Sequence, residues 1–190
     1  ERSIAYAVKA GDQARAVYAD DDAMRWYRRA LSHLDNSPGI EGAKAYRLNA
    51  HVELGKIQIS AGEIAKSEGH FREAIGLAKE LNLDPQSLAL LYHWLGEILI
   101  RQGRLEERLR LGEEGLAMLG DDSRSIGAAL MNQTVAFASW LLGDWKRARA
   151  LTLETASFIR DLPWTEELSI PYTHIGMILM LDKEFDTSMA

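Results

Sequence analysis

His33, His51, His70, His93 and His174 are the side chains best suited to metal or acid–base chemistry, and there is no cysteine to join them. No two of the five stand at the i, i+4 spacing that sets two imidazoles on one face of a helix, as a metal requires. Structural or solvated roles are therefore expected for all five. The carboxylates are no better arranged. Adjacent acids such as Glu113-Glu114 and Glu166-Glu167 point about 100° apart on a helix, which makes poor acid/base pairs. The run Asp20-Asp21-Asp22 lacks the alternating spacing of a calcium loop and reads as a helix cap. No cluster of glycines precedes a Lys-Ser or Lys-Thr to cradle a phosphate. Arg101, Arg104, Arg108 and Arg110 gather near one turn and suit an acidic peptide or a phosphate. Glu106, Glu107, Glu113 and Glu114 stand close enough to neutralise them, and the competing expectation is a solvated, ion-paired face. The chain is thus expected to carry no catalytic group, no metal and no cofactor.

Elements that could position a different kind of site are easier to read. Ala, Leu, Glu and Arg are plentiful, prolines number 4, and long runs of β-branched residues are missing, so the expectation is all-α. A net charge of −6 offers no field to attract a phosphate backbone, which argues against direct nucleic-acid binding. The apolar run Ile175 to Leu181 is too short to span a bilayer. Zero cysteines fit a reducing compartment, with the cytoplasm expected.

Residues 88–119 read as a complete helix-turn-helix unit. Leu91, Trp94, Leu95, Ile98 and Leu99 form one apolar stripe with Gly96 inside it, Gly103 breaks the helix, and Leu105, Leu109, Leu116 and Leu119 form the second stripe. A glycine inside such a stripe costs about 1 kcal/mol against alanine, so its presence implies close approach of another helix. The same pair recurs as Gly55 and Gly62. A later copy shows Ala136 and Gly143, and an earlier one shows Gly11 and Tyr18. The turn spacing from Gly62 to Gly103 is 41 residues and from Gly103 to Gly143 it is 40, which extends to Gly176 and a fifth turn at Lys183. Five hairpins then cover residues 1–190 as a single domain, the last one truncated. The expected helices span roughly 3–18, 20–34, 41–61, 63–81, 124–142 and 144–161 around the central unit, with a last one from Thr165, bent or restarted at Pro171. A period of this length is the signature of a solenoid, in which each unit buries its apolar face on its neighbours. The chain begins at Glu1 in what already reads as helix, so a fragment of a larger protein is expected.

Trp94-Leu95-Gly96 on a first helix, Gly103 at the turn, and the small, aromatic and small residues Ala23, Tyr27 and Ala30, repeated as Ser67, Phe71 and Ala74, resemble a tetratricopeptide repeat (TPR). The resemblance implies a right-handed superhelical solenoid of antiparallel hairpins. Departures are a period of 40 to 44 instead of about 34, and Gly112 and Thr152 at the aromatic site. Long-helix repeats of this kind resemble those of large bacterial signalling ATPase proteins, the LuxR-type transcription regulators and multidomain nucleotide cyclases. That resemblance implies a regulatory setting and not an activity of this chain.

On the repeat alignment the first helices place Val52, Lys56 and Ile59, then His93, Glu97 and Ile100, then Gln133, Phe137 and Trp140, and finally Thr173, Met177 and Met180 on an inner face. The expected partner-binding set is Phe137, Trp140, Met177 and Met180, with His93 and Gln133 at its polar edge. Trp is enriched at binding hot spots and Met adapts to more than one partner. The expected function is a non-catalytic scaffold for a protein, peptide or small effector. The alternative is a structural spacer or oligomerisation element, in which the same apolar residues pack on further hairpins. Ile175, Ile178, Leu179 and Leu181 are expected to form a sticky terminal face that self-associates.

Overall fold

Asp84 and Ser125 show how the helices are cut to length. The Asp84 carboxylate accepts the Ser87 amide at 3.1 Å just ahead of Pro85, and the Ser125 hydroxyl accepts the Ala128 amide at 3.2 Å, each satisfying a donor that the first turn leaves bare. A computed structural model describes residues 2–37 and 39–188. Among them are the helices α1 (Arg2–Ala16), α2 (Asp20–Asp35), α3 (Ala43–Ser60), α4 (Ile64–Glu80), α5 (Pro85–Arg101), α6 (Leu105–Leu119), α7 (Ile126–Leu141), α8 (Trp145–Ala156) and α9 (Ser169–Ser188). Two 3-10 turns, Ile159–Asp161 and Glu166–Leu168, link the last two helices, and the described residues include no strand.

Four of the five predicted turns are made the same way. Tyr18, Gly62, Gly103 and Gly143 all have positive φ. The amide that follows each of them bonds back five residues: Ala19 to Ala14, Glu63 to Gln58, Arg104 to Leu99, and Asp144 to Ser139. This is the Schellman closure, which satisfies carbonyls at a helix end, and glycine adopts the required left-handed backbone without a Cβ penalty.

The chain falls into two compact units, residues 1–83 and 84–190. In the first, α1 pairs with α2 and α3 with α4, and α2 and α3 pack together. Its core holds Ala23, Tyr27, Ala50, Leu54 and Ile57. The rings lock it: a Cβ added at Gly11 would stand 2.6 Å from the Tyr27 ring, and one at Gly55 would stand 2.6 Å from Phe71. In the second unit α5 pairs with α6 and α7 with α8, while α7 packs on α5, α6 and α9. Every described side chain from Gly127 to Ala136 is buried, so α7 is this unit's central element.

Several expected details differ. Helix α9 runs through residue 183, so the turn placed at Lys183 is not formed. The segment expected from Thr165 is a 3-10 turn at Glu166–Leu168, and α9 restarts at Ser169 with Pro171 as its third residue, where its amide would be unpaired in any case. Among the described residues a Cβ at Gly176 would meet nothing within 4 Å, so that glycine marks no close crossing with them. The cap expected at Asp20 or Asp21 falls instead on Ala19, which makes no side-chain cap bond. Helix α8 stops at Ala156, short of the expected 161. Pro38 of the long first loop and the side chain of Leu181 lie outside the described residues.

Candidate functional site

The predicted inner face of the second unit comes from α5, α7 and α9, which the repeat sets side by side. Phe137 and Trp140 stand one turn apart on α7 with ring centroids 5.4 Å apart. Trp140 meets Trp145, the first residue of α8, edge-on at 5.8 Å. Met180 is 58% exposed, while Trp140, Met177 and Phe137 are partly buried. Of these four only Met180 is largely exposed. His93 and Gln133 do not join them, since each is only 1% exposed. Both ring nitrogens of His93 and both amide atoms of Gln133 are buried and lack a hydrogen-bond partner among the described residues. Polar residues are rarely buried in that state, and the polar edge expected for these two from the repeat alignment is not formed. Ile175 and Ile178, expected on a sticky terminal face, are likewise buried, at 8% and 5% exposed.

Arg108 is the largest departure from the surface reading. It is 1% exposed, far from the solvated face expected for the arginine cluster. Its Nη1 donates to the Gly96 carbonyl at 2.7 Å and to Glu97 Oε1 at 2.9 Å, and its Nε donates to the Thr134 carbonyl at 3.2 Å. The guanidinium carbon also lies 5.8 Å from the Phe137 ring centroid, within cation–π range. One side chain from α6 therefore ties α5 to α7 behind the inner face. The signal was present in the repeat alignment: Arg108 stands where Ala23, Ser67 and Ala148 stand in the other hairpins, and Gly112 stands where Tyr27 and Phe71 do. Arg104, by contrast, pairs with Glu107 near the surface as expected.

Electrostatics follow from this burial. Burial alone would raise the Glu97 carboxyl, but the charge of Arg108 and their hydrogen bond hold it below the usual range. Burial pushes His93 down to about 4, and His174 likewise to about 4, with Glu97 opposing and Arg108 reinforcing the shift in each case. Both imidazoles are neutral at pH 7. His174, on α9, stacks on Phe137 with centroids 4.0 Å apart and planes 7° apart, so α9 covers one side of the α7 ring.

A second pairing was not legible from spacing along one helix. His51 on α3 and His70 on α4 face each other with Nδ1 to Nδ1 at 2.8 Å. The hairpin register brings together residues 19 apart in sequence, a distance that a search for i, i+4 pairs ignores. Among the described residues no group of three His, Cys, Asp or Glu is placed to hold a metal ion. No described helix is long and apolar enough to cross a membrane.

No known family model matches the chain, and no curated protein matches it in sequence. Solved structures do match its fold. BtubC (BKLC) from P. vanneervenii superposes with a TM-score of 0.70 at 16% identity, over 98% of this chain and 85% of that one. The TPR-like repeats of a putative kinesin light chain from Podospora anserina give 0.67 at 13%, over 98% and 94%. A Rap conjugation gene regulator of plasmid pLS20, solved in complex with the Phr* peptide, gives 0.64 at 17%, over 96% of this chain and 54% of that one. At these identities the likeness concerns the fold, which is an all-α, TPR-like helical-repeat solenoid.

Proposed function

We propose that this chain is a non-catalytic binding module whose inner face, at Phe137, Trp140, Met177 and Met180, holds a protein or peptide partner. His93 and Gln133 shape that face from behind. Exposure carries the reading: Met180 at 58% and the partly exposed Trp140 present apolar area that water solvates poorly. A TPR-like neighbour held with a peptide supports the choice of partner class, and an amphipathic helix or extended segment fits such a wall. Residues 1–190 act as one repeat domain within a larger regulatory protein, of the transcription-regulator or nucleotide-cyclase type, and a small effector is the other ligand that this setting allows. The module works in the cytoplasm.

One observation favours the spacer reading instead. His174 already stacks on Phe137 at 4.0 Å, so α9 fills part of the face by itself. Trp140→Ala separates the two. A binding module loses about 2 kcal/mol or more of partner affinity while keeping its helix content, measured by partner titration and circular dichroism. A spacer loses stability as a core residue does, and the same substitution then unfolds the second unit as readily as Leu95→Ala.

A further inference from the structure

We infer that His51 and His70 form a two-imidazole clamp for a borderline divalent transition metal, Zn(II), Cu(II) or Ni(II), on the hairpin of α3 and α4. Two nitrogens each about 2.0–2.1 Å from one ion stand about 2.9 Å apart at a right angle and about 3.4 Å apart in a tetrahedron. The Nδ1 atoms are 2.8 Å apart, with ring centroids at 5.0 Å and planes at 53°. The separation thus already matches the right-angle value to about a tenth of an ångström, and each ring turns by about 45° to aim its Nδ1 lone pair at the ion instead of along the N···N line. In the metal-free protein the same separation is one hydrogen bond, donated by one Nδ1–H to the other ring. Metal binding moves that proton to the Nε2 of the same imidazole, leaving both Nδ1 lone pairs for the ion.

Preorganisation supports the clamp. His51 lies one turn before Gly55 and His70 directly precedes Phe71, so both sit beside a close crossing, with the Phe71 ring 2.6 Å from a Gly55 Cβ position, that sets the spacing of the two helices. Glu73, one turn beyond His70 on α4, and Asp35 on α2 favour a cation beside His51, while Arg47 opposes it beside His51 and Arg28 beside His70. With no third protein donor gathered among the described residues, water fills the other positions. Imidazole donors suit Zn, Cu and Ni, whereas Mg and Ca prefer oxygen.

The test is calorimetric titration of the intact chain with Zn(II), Ni(II) and Cu(II) chlorides in a non-chelating buffer, together with electron paramagnetic resonance of the Cu(II) form. Expected are one saturable site per chain and two imidazole nitrogens on copper. His51→Ala and His70→Ala should each weaken binding on the order of tenfold or more, since a lone imidazole has no chelate partner, and His33→Ala should leave it unchanged. Where an alanine variant melts early, His70→Gln keeps a polar side chain and removes the imidazole. Absence of saturable binding, retention of it in the double variant, or a single nitrogen on copper overturns the clamp. None of these outcomes bears on the partner-binding reading.

Discussion

Gly55 and Gly96 sit at the same place in successive hairpins, yet their crossings are filled by different chemistry. At Gly55 the ring of Phe71 closes on the helix backbone, and the Ser67 hydroxyl donates to the Gly55 carbonyl at 2.8 Å. At Gly96 the aromatic site is Gly112, and Arg108, at the position of Ser67, donates to the Gly96 carbonyl at 2.7 Å. These two hairpins, unlike those with Ala23 and Ala148 at the same position, share a task, a donor to the carbonyl that a glycine notch uncovers, and not a residue type. The difference lies in reach. Serine joins two helices of one hairpin, whereas Arg108 goes on to Glu97 and to the Thr134 carbonyl of α7, and so joins three.

The sharpest way to break this comparison is Arg108→Ala. Glu97 would then be a buried carboxylate without its cation, a loss expected to cost about 3–5 kcal/mol. Ser67→Ala removes one neutral hydrogen bond and should cost only about 1–2 kcal/mol. Urea denaturation measures both. Pairing Arg108→Met with Glu97→Leu should recover most of the loss, because a well-packed apolar pair replaces a buried ion pair at little cost. Equal losses in the two single variants would mean that Arg108 does no more than serine does.

Acid should act on the second unit through the same network. His93 is pushed down to about 4 in the fold, against about 6.5 when unfolded. Between these values the unfolded chain binds more protons, so stability falls as pH drops from about 6.5 to about 4. Glu97 works in the same direction at lower pH, since its depressed carboxyl contributes stability that is lost on protonation. The expected loss from His93 is on the order of 3 kcal/mol. His93→Asn should flatten the acid limb of a melting-temperature profile. An unchanged slope would show that His93 is not neutral and buried in solution.

How much of this was legible follows from which signals are local. Turns at Tyr18, Gly62, Gly103 and Gly143 were visible because a helix end leaves a local backbone mark. The pairing of the Phe137 and Trp140 rings was visible because helical period places side chains. The burial of His93, Gln133 and Arg108 was hidden, because their residue types argue for water and only a third helix removes it. Pairing between His51 and His70 was hidden because it depends on the register of two helices, which no spacing along either one reports. The turn expected at Lys183 failed because the period was extrapolated past its last glycine, with no local stop signal in α9.

Alanine at the two notches refines the comparison with smaller effects. At Gly55 the new Cβ would stand 2.6 Å from the Phe71 ring, and overpacking of about 1–3 kcal/mol is only partly offset by about 1 kcal/mol of helix propensity. A net loss of up to about 2 kcal/mol is expected. At Gly96 the nearest atom is the Thr134 methyl at 3.3 Å, which can yield by a few tenths of an ångström, so Gly96→Ala should fall within about 0.5 kcal/mol of neutral. Comparison of the two midpoints in urea checks the ranking. If Gly96→Ala is the more damaging, the Arg108 crossing is the tighter one.

The smallest effect is expected at Gly176, and its sign is what matters. The repeat period puts this residue in the class of Gly55 and Gly96, where a side chain is excluded. Among the described residues the structure puts it in open space, inside α9, with nothing within 4 Å of a Cβ. A glycine in such a position only costs backbone entropy, so Gly176→Ala should stabilise the chain by about 0.5–1 kcal/mol. Thermal melting of the two forms decides the matter. A lower melting temperature for the alanine variant would mean that another helix closes on α9 at this notch, and the fifth copy would regain the crossing that its sequence promises.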